Sequence, residues 1–211
     1  MNLSNPIRSV IPALQGQVLA VLARTSQPLT GRGVAGLVGD RASVAGVNVA
    51  LRSLVASGLV LGEEHPPSIL YRLNRRHLAA HSIEELADLR GQLLEAVREH
   101  LASWSIAPWG AWLFGSMARG EGSADSDIDI VLVRPDHVAA DDSRWLSQID
   151  FFVDDVKAWT GNPCRVVEYS ATEFDDLLTG PERLPTDLRT DGLALTSRRL
   201  PRRPAVSGAA R

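Results

Sequence analysis

Residues 115–133 read GSMARGEGSADSDIDIVLV, and this stretch decides how the chain is interpreted. It ends in an apolar strand pattern that carries two aspartates, Asp127 and Asp129, on alternate positions. Residues i and i+2 of a strand point to the same side, so both carboxylates project from one face while Ile128 and Ile130 face a core. Two neighbouring carboxylates repel each other and do not both stay ionised without a positive partner. A divalent cation is the simplest such partner.

The residues before the pair predict that this cation is Mg²⁺ and that it is bound together with phosphates. Gly115 permits a tight turn after the strand pattern WGAWLF, and the N–H groups that follow lie at a predicted helix N-terminus, which favours anions. Ser116 adds a hydroxyl donor and Arg119 a guanidinium. Mg²⁺ binds through one or two carboxylates plus substrate phosphates. The pattern therefore predicts a nucleoside triphosphate held by metal and backbone.

These motifs resemble the signature of the minimal nucleotidyltransferases of the DNA polymerase beta superfamily. The residues that carry the resemblance are Gly115-Ser116, Ala118-Arg119-Gly120 and Ser126-Asp127-Ile128-Asp129. The resemblance covers roughly residues 109–170 and implies a mixed sheet flanked by helices. It also implies Mg²⁺-dependent transfer of a nucleoside monophosphate with release of pyrophosphate. The residues it implies for nucleotide binding are Gly115, Ser116, Arg119 and Ser126.

A third carboxylate is expected from the same resemblance. The family carries one on a later strand, flanked by hydrophobic residues, and Val167-Glu168-Tyr169 fits in position. Minimal members more often have Asp there, so Glu168 is a departure. With Asp127 and Asp129 holding the metal ions, Glu168 would ligate the second ion or take the proton of the acceptor. The alternative is that Glu168 is simply polar on a half-exposed strand.

Charge divides the chain into two parts. The whole chain carries a formal net charge of −3. Residues 1–80 hold eight arginines and three acidic residues, a net charge of +5, which leaves −8 for residues 81–211. A basic part joined to an acidic part predicts two modules with different partners.

The basic part has the pattern of a small helical domain. Apolar residues recur at helical spacing over residues 12–24 and 43–58, and a shorter helix is predicted over 30–38. Thr30 and Ser43 are the predicted caps. Two strand-like runs follow, LVLGEE and SILYRL. Three short helices and a hairpin are typical of a winged helix-turn-helix domain, with the helix over 43–58 as the recognition helix.

Phosphate contacts from this domain would give salt-dependent, weakly sequence-selective binding of nucleic acid. The arginines expected to make them are Arg32, Arg41, Arg52, Arg72, Arg75 and Arg76. The predicted recognition helix itself carries only Arg52. Dimerisation of the chain and docking of a protein partner therefore stay open as alternatives.

The fold class predicted from these patterns is α+β. Residues 1–80 are predicted to form the winged helix-turn-helix domain, mostly α with a small hairpin. Residues 81–106 follow as a connecting segment, because leucines at steps of three and four predict one amphipathic helix over 82–104. Residues 107–197 are predicted to form a small mixed-sheet α/β nucleotidyltransferase domain, and residues 198–211 a disordered basic tail.

Composition narrows the function classes. The single cysteine, Cys164, forbids an intrachain disulfide and excludes a Cys-based zinc site. No apolar run approaches the roughly 20 residues that span a bilayer. The N-terminus, MNLSNPIRSV, lacks the pattern of a secretory signal. We therefore expect a cytoplasmic protein without a membrane partner.

Together the residues and the resemblance predict an Mg²⁺-dependent nucleotidyltransferase that uses a nucleoside triphosphate, ATP, and a hydroxyl acceptor on a protein or RNA. Minimal members of the family are often encoded in toxin–antitoxin pairs, and the DNA-binding winged helix fits such a component. The alternative is a DNA-binding transcriptional regulator whose nucleotidyltransferase-like domain senses nucleotide. A pure sensor does not need the full set of carboxylates, which favours the enzyme.

Overall fold

The computed structural model describes residues 1–39 and 42–200. It is a mixed α+β structure, as predicted, and it divides into two compact units, Met1–Leu93 and Leu94–Arg211. Arg41 and residues 201–211 of the predicted tail lie outside the described residues.

The first unit combines short helices with a small antiparallel sheet of strand order β1-β3-β2. Its elements are α1 (Ile7–Val10), α2 (Leu14–Ala23), β1 (Leu29–Thr30), α3 (Gly31–Val38), α4 (Val44–Ala56), β2 (Val60–His65), β3 (Ser68–Leu73) and α5 (Ala80–Ala87). The Thr30 and Ser43 side chains accept hydrogen bonds from the backbone N–H groups of Gly33 and Gly46, so both predicted caps are confirmed. The helices and the hairpin occur in the predicted order. Assignment to the winged helix-turn-helix class stays a prediction.

Helix α2 lies at the centre of this unit and contacts α3, α4 and α5. Its Val18 and Leu22 are fully buried, as are Val47 and Leu51 of α4. Burial of this apolar surface is the main driving force for the packing of such short helices, which are marginal on their own.

The segment predicted as one helix over 82–104 is instead two helices, and that prediction is wrong. Helix α5 ends at Ala87, and α6 (Leu89–Ala102) follows. Asp88 lies between them with φ −104° and ψ 15°, outside the helical region. The unit boundary falls after Leu93, inside α6, so the predicted connecting segment contributes residues to both units.

The second unit is built on a mixed sheet of strand order β6-β5-β4-β7. Strands β5 and β6 are parallel, while β4 is antiparallel to both β5 and β7. Its elements after α6 are β4 (Gly110–Phe114), α7 (Gly115–Ala118), β5 (Ile128–Arg134), α8 (Ser143–Thr160), β6 (Cys164–Ser170), α9 (Ala171–Thr179), α10 (Arg183–Asp191) and β7 (Leu193–Ala194). Helix α10 and strand β7 were not anticipated, because β7 is only two residues long and residues 181–192 combine two prolines with few apolar residues.

The two faces of the β5 strand are buried by different helices. On one side Val131 and Val133 pack with Phe174 of α9 and Leu188 of α10. On the other side Ile128, Ile130 and Leu132 are buried. The Trp145 side chain of α8 hydrogen-bonds to Glu168, which pairs with Leu132 and so shares that side. Strand β5 is therefore held between two layers, and its partly exposed residues are Asp129 near the N-terminal end and Arg134 at the C-terminal end.

Cys164 begins β6 and pairs with Ile128. It is buried and forms no disulfide. Burial, with a smaller effect from the Asp129 charge, raises the pKa of the Cys164 thiol to about 12, so the thiol stays protonated at neutral pH.

Candidate active site

The predicted carboxylate pair lies where β5 begins. Asp127 immediately precedes the strand and Asp129 is its second residue, so the two-residue period puts both side chains on one face. Ile128 between them is buried on the opposite face. The alternation that the sequence predicted is therefore present in the structure.

Gly115 lies directly against this pair. Its φ is +73°, a conformation that L side chains rarely adopt. Phe114, the residue before it, pairs with Asp129 across the β4–β5 ladder. A Cβ added at Gly115 would lie 2.9 Å from the Oδ2 atom of Asp129. Glycine is therefore required here twice, by the turn and by the space that the carboxylate occupies.

The ionised form of Asp129 is disfavoured by its surroundings. Burial, and next the negative charge of Asp127, raise the pKa of the Asp129 carboxyl above its usual 3.8, and Arg165 partly opposes this. A carboxylate that is desolvated beside a like charge is stabilised by any added positive charge. Such perturbed groups are concentrated at functional sites.

Arg165 is a component of the site that the sequence reasoning missed. It is the register partner of Asp129 on the parallel strand β6 and shares its face. Its Nη2 atom lies 2.9 Å from the Oδ2 atom of Asp127, with the Arg165 side chain 70% and the Asp127 side chain 24% exposed. The pattern CRVVEYS contains this arginine, but only the register between β5 and β6 places it opposite the pair.

The structure does not bring Glu168 together with the pair, and the prediction that it completes the carboxylate set is corrected here. Glu168 pairs with Leu132, so it lies on the face opposite to Asp127 and Asp129. Its Oε1 atom accepts hydrogen bonds from Arg134 Nε at 2.8 Å and from Trp145 Nε1 at 3.0 Å. This is a structural ion pair beneath α8, three positions along the strand from the partner of Asp129.

The loop that leads into Asp127 is held by hydrogen bonds from Asn162, a second residue that was not predicted from the sequence. Asn162 is fully buried, and its side-chain amide donates to the backbone oxygens of Ser123, Ala124 and Ser126 at 3.4, 3.0 and 2.9 Å. Ser126 is a turn residue whose Oγ atom accepts from the Ser123 N–H at 2.8 Å. Nothing in the sequence distinguishes Asn162 from an ordinary loop asparagine in Gly-Asn-Pro.

Ser116 lies within the single turn of α7, and Arg119 is the residue at its C-terminal end. This turn packs against β4 and β5. The Arg119 Nε atom donates to Glu121 Oε2 at 2.8 Å, and this hydrogen bond raises the pKa of the guanidinium. Ser116 directly follows Gly115, the residue that lies against Asp129. Arg119 is exposed and is hydrogen-bonded to Glu121.

Two carboxylates next to an open backbone turn fit one Mg²⁺ ion whose remaining ligands are water and nucleotide phosphates. The gap at Gly115, which a Cβ would fill, keeps the Asp129 carboxylate accessible beside the turn. Across residues 1–39 and 42–200, no group of three or more His, Cys, Asp or Glu side chains could hold a metal ion. The described residues therefore fit a cation bound together with a ligand better than a closed protein cage.

The arginines of the first unit are distributed unequally. Arg32 and Arg52 line one cavity of about 570 Å³ together with Asn48, Ser68 and Tyr71. By contrast, Arg75 hydrogen-bonds to Glu84 and to the backbone oxygens of Ala23 and Thr25. Arg72 and Arg76 are exposed, and Arg41 lies outside the described residues. Of the six predicted residues, the structure brings Arg32 and Arg52 together.

A family model matches part of the chain. Residues 91–177 match the family model described as a nucleotidyltransferase domain, which is less than half of the 211 residues. This match supports nucleotidyl transfer as the general activity of the second unit. No curated protein matches the chain.

A crystal structure of human N-acetylserotonin methyltransferase in complex with SAM is similar over part of the chain, with 24% identity and a TM-score of 0.29. The match covers 44% of this chain, which in turn spans 31% of that protein. A TM-score this low carries no argument about fold or function. Separately, none of the helices within residues 1–39 and 42–200 is long and apolar enough to cross a membrane.

The close approach of Gly115 to Asp129 gives a first prediction. We expect Gly115→Ala to destabilise the protein by about 2–3 kcal/mol, because the left-handed φ and the displaced carboxylate both cost free energy. Gly58→Ala is the matched control, since Gly58 has φ +75° but an added Cβ would meet nothing closer than 3.9 Å. Its cost should be about 1 kcal/mol. Urea denaturation measures both, and equal costs would contradict the steric role assigned to the Asp129 carboxylate.

The raised pKa of Asp129 gives a second prediction. A carboxyl whose folded-state pKa is raised favours folding while protonated, and this stabilisation is lost as pH rises from 3.8 through the raised value. We therefore expect Asp129→Asn to increase the free energy of unfolding of the metal-free protein at pH 7, with the gain shrinking toward pH 4.

Urea denaturation in EDTA across this pH range measures the effect, with Asp150→Asn on the exposed part of α8 as control. A wild-type protein that is the more stable of the two at pH 7 would show that the carboxylate is not under electrostatic strain.

Proposed function

We propose that the chain is an Mg²⁺-dependent nucleotidyltransferase that transfers a nucleoside monophosphate from a nucleoside triphosphate, ATP, to a hydroxyl acceptor. The observation that carries the proposal is the pair Asp127 and Asp129 on one strand face beside the left-handed turn at Gly115. The nucleotidyltransferase family match over residues 91–177 supports the same class of activity.

In this proposal Asp127 and Asp129 hold the cation, and Gly115, Ser116, Arg119 and Ser126 contact the nucleotide. Bound Mg²⁺ would neutralise charge on the phosphates. In the transfer itself, the acceptor oxygen bonds to the α-phosphorus, the bond to pyrophosphate breaks, and the hydroxyl proton passes to water. The contribution of the chain itself is to position the charged groups. It keeps two like charges in place before the ligand arrives, so little reorganisation is needed at the moment of reaction.

Positioning of the pair depends on neighbours that do not touch the nucleotide. Strand β5 is fixed by ladders on both sides, and Asn162 holds the loop that precedes Asp127. Arg119 is proposed to exchange its exposed bond with Glu121 for a phosphate oxygen. Such an exchange costs little, because exposed ion pairs contribute about 0–1 kcal/mol.

The acceptor is proposed to be a hydroxyl on a protein or at an RNA end, with the chain acting as part of a toxin–antitoxin pair in the cytoplasm. What supports this is the resemblance of the motifs at residues 115–129 to minimal nucleotidyltransferases. A basic unit joined to the transferase domain further favours a macromolecular acceptor over a small molecule.

Label transfer tests the proposed activity. The full chain is incubated with Mg²⁺, each α-phosphate-labelled nucleoside triphosphate, and either total RNA or cell lysate. We expect label in RNA or in a protein band, and its loss by at least about 10³-fold in Asp127→Ala/Asp129→Ala, because charge neutralisation supplies most of the acceleration in this chemistry.

The matched control is Asp150→Ala/Asp154→Ala, which removes two exposed carboxylates of α8 and should retain full labelling. Labelling that survives in the Asp127→Ala/Asp129→Ala variant would remove the assigned site, and its absence with every nucleotide and acceptor would count against the activity.

A second candidate function, nucleic-acid binding by the first unit, is favoured by the cavity that Arg32 and Arg52 share. Two guanidiniums with Asn48 and Ser68 at one concave surface suit a phosphate backbone. The exposed part of α4 argues for weak sequence selectivity, because it also carries Val44 and Val49. This surface would carry the DNA binding of a transcriptional regulator in which the second unit senses nucleotide and catalyses no transfer.

Gel shifts with the full chain at several salt concentrations test this candidate. We expect a salt-sensitive shift. In Arg32→Ala/Arg52→Ala the slope of the log binding constant against log salt should become shallower, by the equivalent of about one to two phosphate contacts. Arg144→Ala/Arg183→Ala, which removes two exposed arginines of the second unit, should leave the shift unchanged. Absence of any salt-sensitive shift would remove nucleic-acid binding as a function of this surface.

A further inference from the structure

Strand β6 lies beside the aspartate pair and could supply a third carboxylate to a metal ion there. On the face that it shares with Asp127 and Asp129, it instead carries a basic side chain. The residues of β6 that share the face of Asp127 and Asp129 are Arg165, Val167 and Tyr169. The glutamate of this strand is on the other face, tied to Arg134 and Trp145. The neighbouring strand therefore offers the pair a guanidinium and no carboxylate.

The guanidinium is already in contact with the pair. Arg165 Nη2 lies 2.9 Å from Asp127 Oδ2, an ordinary ion-pair distance. With two carboxylates and one guanidinium, the cluster keeps one of its two negative charges uncompensated. The oxygen that Arg165 engages belongs to one of the two residues that would hold Mg²⁺.

This ion pair is suited to displacement. The Arg165 side chain is 70% exposed, and exposed ion pairs contribute about 0–1 kcal/mol. A divalent cation carries twice the charge of the guanidinium, but it meets a site that is already half neutralised. Free cation is therefore disfavoured by the same residue that reduces the repulsion between Asp127 and Asp129 while no cation is bound.

We propose that Arg165 is the built-in counter-ion of the aspartate pair and competes with free divalent cation for Asp127. The inference rests on the proposed function for the identity of the metal site. It adds that the pair binds free cation weakly and takes its cation together with the phosphates of the nucleotide, which supply the ligands that a third carboxylate would otherwise provide.

Mn²⁺ titration of the metal-free, nucleotide-free full chain tests this competition, with free Mn²⁺ followed by its electron paramagnetic resonance signal. We expect Arg165→Ala and Arg165→Gln to bind Mn²⁺ about five- to twentyfold more tightly than wild type, because a positive charge near the ion is removed. Arg165→Asp, which adds a third carboxylate to the face, should bind more tightly still. Arg144→Ala is the control, because it removes an arginine that forms a similarly exposed ion pair with Asp142, and it should match wild type.

The gain should act through Asp127. In an Asp127→Ala background, Arg165→Ala is expected to lose most of its effect on Mn²⁺ affinity. Equal affinity of wild type, Arg165→Ala and Arg165→Gln overturns the proposal. A gain that persists in full without Asp127 overturns it as well, since it would reflect only the general field of the protein.

The nucleotidyltransferase activity and the counter-ion role of Arg165 can be disproved independently. If label transfer is absent but the Arg165 variants bind Mn²⁺ more tightly through Asp127, the nucleotidyltransferase proposal fails and the counter-ion role stands. If label transfer depends on Asp127 and Asp129 but the Arg165 variants bind Mn²⁺ like wild type, the counter-ion role fails alone.

Discussion

Repulsion between the carboxylates of Asp127 and Asp129 is the constraint around which the second unit is arranged. The strand period puts both on one face, and Gly115 leaves the space that the Asp129 carboxylate occupies. Burial, and next the charge of Asp127, raise the pKa of Asp129, so the protein carries an electrostatic cost at this pair. In the proposed function, this local cost in stability is offset when the cation and the nucleotide bind.

The rest of the unit keeps that arrangement rigid. Strand β5 lies between β4 and β6, and its apolar residues are buried on both faces. Asn162 anchors the loop before Asp127, while Glu168, Arg134 and Trp145 form a polar cluster beneath α8. The polar groups near the pair therefore divide by face, with the charges of Asp127, Asp129 and Arg165 on one side and structural hydrogen bonds on the other.

The sequence predicted the parts of the site that depend on local pattern. The aspartate pair and the need for Gly115 follow from a two-residue period and a turn, which are readable within 115–133. Glu168 was assigned wrongly because its face depends on the register between β5 and β6, which no local pattern encodes. Arg165 and Asn162 were missed for the same reason, since their partners lie some 35 to 40 residues away in sequence. The break at Asp88 was missed because leucine spacing continues across it.

The structure of the protein bound to Mg²⁺ and a non-hydrolysable nucleoside triphosphate tests the central claim most directly. The account predicts an ion in contact with the carboxylates of both Asp127 and Asp129, triphosphate oxygens beside Gly115 and Ser116, and Arg165 released from Asp127. A nucleotide bound elsewhere, with Arg165 still paired to Asp127 and no ion at either aspartate, would contradict it.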